Sequence, residues 1–167
     1  MSPDGASIHP VDTEAIQRRT LRTLICGVVP AGAAMTSAYS ASAVLGEELT
    51  GSETYGALAA ACLTVGSALA TLPLARLMAI RGRRPGIVAG YTTALLGALV
   101  AASAAVTGFY ALLPLGMLGV GAGNAANLAA RYAAVDLAPE EGRARTIGNL
   151  VWSSTIGAVL GPTIGLG

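Results

Sequence analysis

The chain has 167 residues, 53% of them hydrophobic and only 11% charged, with 22 glycines and a formal net charge of +1. That is too few charges to cover the surface of a water-soluble fold of this length, and so much apolar content excludes a disordered chain. A near-neutral balance also excludes the concentrated basic face of a nucleic-acid binder.

Residues 1–22 read as a polar tail holding His9, three acidic residues and Arg18, Arg19 and Arg22. Long uncharged windows follow: Thr23 to Gly46, Thr54 to Ala75, Pro85 to Ala130, and Thr146 to Gly167. A helix rises about 1.5 Å per residue, so roughly 20 apolar residues cross a hydrocarbon core of about 30 Å. The first, second and fourth windows each fit one crossing. The third is about twice as long, and Thr107, Gly108 and Phe109 near its middle supply a turn signal and an interfacial ring. Five transmembrane helices are predicted, near 23–45, 55–77, 86–106, 110–132 and 146–167, in an all-α integral membrane protein. The runs are too continuous for the alternating pattern of a membrane β-barrel. Cys26 and Cys62 lie inside apolar runs and are too few for a disulfide framework or a thiolate metal site.

All ten basic residues are arginine, and they set the orientation. With the N-terminus cytoplasmic, the tail, the second loop (Arg81, Arg83, Arg84) and the fourth loop (Arg143, Arg145) lie on one side. The first loop faces outward with Glu47, Glu48 and Glu53, and the third is uncharged, as the positive-inside bias requires. The expected location is the inner (plasma) membrane, multi-pass. Arg18 and Arg19 also fit a twin-arginine export signal, with Ala41, Ser42 and Ala43 as a cleavage site. The other reading is that they anchor the first helix at the cytoplasmic face.

Catalysis inside a membrane needs groups that attack, transfer protons or bind metal. His9 is the single histidine and lies in the tail, and every Asp and Glu falls outside the apolar windows. No enzyme, cofactor or metal site is therefore expected. What the helices carry instead is small residues at helical spacing: Gly116, Gly119, Gly123 and Asn127 in the fourth, Ser153, Gly157, Gly161 and Gly165 in the fifth. Such stripes let backbones approach closely and gain dispersion contacts that lipid cannot replace. Asn124 and Asn127, three residues apart on one face, need partners in a protein interior or a wet cavity. Tyr39, Ser40 and Ser42 pose the same demand in the first helix. Bonds between helices would satisfy these groups as well as a ligand would. Pro30, Pro73, Pro114 and Pro162 are each expected to bend a helix.

The loop after the second helix runs from Ala75 through Arg81, Gly82, Arg83 and Arg84 to Pro85. It resembles the Gly-x-x-x-Asp-Arg-x-Gly-Arg-Arg signature of the major facilitator superfamily of secondary transporters. Gly82, Arg83 and Arg84 match, whereas Ala75, Ala79 and Ile80 stand where Gly, Asp and Arg are usual. In that family the Asp helps to latch the two halves together. The resemblance also implies a charge pair between Arg83 and Asp136. In the fifth helix Gly157, Gly161, Pro162 and Gly165 resemble the Gly-x-x-x-Gly-Pro-x-x-Gly signature associated with exporters. Leu115 departs from the Arg that many proton-coupled members keep in the fourth helix.

The resemblance runs from about Thr23 to the end of the chain and is similar to the N-terminal part of a drug/proton antiporter-like member. It implies twelve helices in two halves with the substrate between them, so that residues 23–167 supply helices one to five of the N-terminal half. The sixth helix and the C-terminal half would be missing partners, beside the lipid bilayer and a small-molecule substrate; no nucleic acid is implied. The function implied is alternating-access transport, with export of small organic molecules or drugs. Tyr39, Asn124 and Asn127 would line the cavity, because helices one and four face it in that family. Two rivals stand beside it: a non-transporting helical subunit or assembly protein whose glycines only pack, and a membrane enzyme.

Overall fold

A computed structural model describes residues 13–136, together with 148, 151, 152 and 155. Four helices follow in chain order: α1 (Thr13–Thr50), α2 (Glu53–Arg81), α3 (Arg83–Thr107) and α4 (Leu112–Asp136). Three of them, Glu53–Arg81, Arg83–Thr107 and Leu112–Tyr132, are long and apolar enough to cross a membrane. The predicted fifth span lies outside the described residues except for Gly148, Val151, Trp152 and Thr155, which are helical.

The first helix begins at Thr13, ten residues before the expected span. Nothing between Thr13 and Cys26 breaks it, since the stretch holds no Gly or Pro and half of it is Ala, Leu, Gln and Arg, with Arg at three positions. The connections are short. Gly51 and Ser52 join α1 to α2, Gly82 alone joins α2 to α3, and residues 108–111 join α3 to α4. Gly51, Gly82 and Gly108 all have positive φ. The Gly108 N–H donates to the Ala104 carbonyl at 2.9 Å, closing the end of α3. Pro30 and Pro73 lie inside α1 and α2. Pro114, expected to bend the fourth helix, instead falls in the first turn of α4, where a missing N–H costs nothing.

The bundle is organised around α4. Of its membrane-length window 56% is buried, against 17% in α2 and 22% in α3. It packs against α1, α2 and α3, most extensively against α2 and α3. The interior is built mostly of small residues, Ala59, Ala94, Ala101, Ala104, Ala126 and the glycines between them, with Leu63, Leu113, Met117 and Val120 filling the gaps. Large apolar side chains such as Leu69, Leu95, Leu99 and Val106 point outward. In water that surface would be an aggregation hazard, whereas in a bilayer it faces solvent of its own kind.

Candidate functional site

The seams around α4 decide which side chains meet. Toward α2, a Cβ on Gly66 would lie 2.7 Å from the Leu118 Cα, and one on Gly121 would lie 2.7 Å from the Gly66 carbonyl carbon. Toward α3, Gly116 and Gly119 meet the backbone at Gly97. The four-residue stripe expected in the fourth helix thus packs on α3, while Gly121, off that stripe, makes the approach to α2. Crossings this close gain dispersion and leave little room for side chains between the backbones.

Polar groups close the same seams. Asn124 Nδ2 donates to Ser67 Oγ of α2 at 3.1 Å, and Ser67 is buried. Tyr39 Oη of α1 and Thr64 Oγ1 of α2 share a hydrogen bond of 2.9 Å. Two of the three residues expected to line a cavity are therefore engaged by α2. Asn127 is 2% exposed and its Oδ1 has no hydrogen-bond partner. Replacing Ser67 by alanine will strand the Asn124 amide and cost about 0.6 kcal/mol, the usual worth of such bonds in membrane helices. Thermal unfolding of Ser67→Ala, Asn124→Ala and the double variant checks this, and additive losses would show that the two side chains are uncoupled.

At the Glu48 end, the Tyr110 hydroxyl donates to the Tyr55 carbonyl at 2.8 Å, and the two rings meet edge to face with centroids 5.1 Å apart. This pins the α3–α4 turn to the start of α2. Partial burial, with smaller contributions from Cys62 and Tyr55, raises the Tyr110 phenol above the ordinary tyrosine pKa, so it stays a donor. An apolar crevice of about 220 Å³ separates α1 from α3 above α4, lined by Ala38, Ser42, Leu45, Ala98, Ala102 and Met117 among others. Its walls can admit an apolar group but offer almost nothing to orient one.

At the opposite end Gly82 makes the whole turn between α2 and α3, flanked by exposed Arg81, Arg83 and Arg84. Asp136 ends α4, but its side chain lies outside the described residues, as do Gly157, Gly161, Pro162 and Gly165. Sequence reasoning missed Ser67 and Thr64 as partners, Gly66 and Gly121 as a seam, and Arg131. The last was legible, since the period of Gly119, Gly123 and Asn127 continues to it.

No solved structure matches the chain. It is 36% identical over 155 residues to the uncharacterized MFS-type transporter YddS of Bacillus subtilis (strain 168), covering 93% of this chain and 36% of that protein. It is 34% identical over 155 residues to the uncharacterized MFS-type transporter YdeG of the same organism, with the same coverage. The chain thus spans about a third of the length of the curated relatives it matches. The model of the Major Facilitator Superfamily matches residues 24–167, a stretch that takes in all of the seams described above. A bundle of membrane-length helices packed through glycine, matched over that range, belongs to the Major Facilitator Superfamily.

Proposed function

We propose that this chain forms the N-terminal part of a secondary active transporter that works by alternating access and exports small organic molecules or drugs. The observation that carries the reading is the placement of Asn124, Asn127 and Arg131 on the most buried of the membrane-length helices. Lipid-facing helices avoid such groups, because polar and ionisable side chains within a membrane are costly and mark pathways. Gly-packed seams hold these helices as a unit that can rock against a second half. The protein sits in the cytoplasmic membrane with its N-terminus inside, and its partners are the bilayer, the substrate and the C-terminal half. No Asp, Glu or His falls within the apolar windows, so proton coupling in an antiporter of this kind uses groups from that other half.

Expressing the full-length protein in cells stripped of their own exporters tests the reading. Cells making it will hold less of at least one dye from a broad panel than cells making none. Equal retention of every dye would remove the exporter assignment.

A further inference from the structure

The four-residue period on α4 changes character along its length. At Gly123 the helices are close: a Cβ there would meet Ala94 Cβ of α3 at 2.6 Å, Met35 Cε of α1 at 2.9 Å and Tyr91 Cδ1 of α3 at 3.9 Å. Two turns further the same face carries Arg131, whose Nη2 lies 3.9 Å from where a Cβ on Gly32 of α1 would stand. Between them sits Asn127, 2% exposed, with no hydrogen-bond partner for Oδ1. The buried Nε of Arg131 has no partner either. An unmet acceptor and an unmet donor thus stand one turn apart, about 6 Å along the axis.

Buried polar atoms are nearly always met, and an unmet pair on one face marks a place where something else meets them. The guanidinium is always charged, and no Asp or Glu occurs between Ala15 and Gly46 or between Thr54 and Val135 to neutralise it from the helices. Within those stretches of the described helices the charge meets no carboxylate, and it calls for an anion from elsewhere.

We propose that Asn127 and Arg131 bind an oxyanion that also carries a hydrogen-bond donor, such as a hydroxycarboxylate or a phosphate ester. The N–H of Arg131 donates to the anionic oxygen, and Asn127 Oδ1 accepts from the neighbouring hydroxyl. This deepens the transporter reading and rests on it, because it names the substrate class. A lipid phosphate headgroup presents the same chemistry.

Three probes separate the parts: mandelate, phenylacetate, which lacks the hydroxyl, and mandelamide, which lacks the charge. Their affinities are measured by calorimetric titration on the full-length protein in lipid-free detergent, then with phosphatidylglycerol added. Mandelate will bind more tightly than either of the others. Arg131→Gln will weaken it by about tenfold or more, the effect of losing a charge-assisted bond. Arg131→Lys will restore part of the affinity, and Asn127→Ala will bring mandelate down to the level of phenylacetate. Competition by phosphatidylglycerol, lost in Arg131→Gln, would identify a headgroup as an occupant of the same site. Equal binding of mandelamide, unchanged affinity in Arg131→Gln, or no response to mandelate and to the lipid would each overturn the proposal. Dye efflux by a protein that ignores these anions would remove the site and leave the transporter, and anion binding without efflux would do the reverse.

Discussion

Substituting Gly121 by valine will destabilise the protein by about 3 kcal/mol, the upper end of overpacking costs. A Cβ at this position would run into the Leu63 carbonyl oxygen and the Ser67 amide, and would lie 2.7 Å from the Gly66 carbonyl carbon. These are backbone atoms, so no side chain can rotate away and α2 itself must move. Moving α2 also opens the reciprocal contact, in which Gly66 sits against the backbone of Leu118. The Asn124–Ser67 bond crosses the same seam and would lengthen with it. Gly27 provides the comparison, because it is exposed on α1 and a Cβ there meets nothing within 4 Å. Gly27→Ala will be neutral or stabilising by up to about 1 kcal/mol through helix propensity alone. Thermal unfolding of the full-length protein in detergent reads both. Equal midpoints for the two variants would mean that α2 and α4 do not cross through Gly66 and Gly121.

Gly82→Asn will cost about 1–3 kcal/mol and reduce efflux, while Gly108→Asn will cost much less. Both glycines have positive φ, but their conformations differ. Gly82 stands at φ 89° and ψ 170°, a region reserved for glycine. Gly108 stands at φ 68° and ψ 10°, in the left-handed region that Asn tolerates. Gly82 is moreover the entire connection between α2 and α3, so any relaxation there shifts both helix ends and the arginines on them. Gly108 begins a four-residue turn that can absorb a change. The efflux and thermal midpoints of the two Asn variants check the difference. Similar losses at both positions would mean that helix capping in general, and not the geometry of this turn, governs the loop.

Much of the architecture was legible because crossing a membrane is a property of one segment at a time. The second and third spans predicted from charge-free windows lie inside α2 and α3, the fourth overlaps α4 from Leu112 onward, and the turn placed at Thr107 to Phe109 is where α3 ends. The candidate residues were less legible. Tyr39 and Asn124 were marked by polarity, yet their partners Thr64 and Ser67 lie 25 and 57 residues away and carry no signal of their own. Pro114 looked like a bend until the start of α4 was known.

Taken alone, the sequence determined that the chain is apolar and helical, where its helices turn, and that Tyr39, Asn124 and Asn127 bring polar groups into the first and fourth spans. Local composition suffices for this, since lipid forces each apolar segment to satisfy its own backbone. The tertiary structure alone decided which faces touch: Gly121 on Gly66, Asn124 on Ser67, and Arg131 beside Gly32 of α1. Small residues permit close approach in any direction, so spacing leaves the partner undetermined. Only the packing of all the helices together selects one crossing, and that selection leaves Asn127 and Arg131 with atoms that the bundle itself does not satisfy.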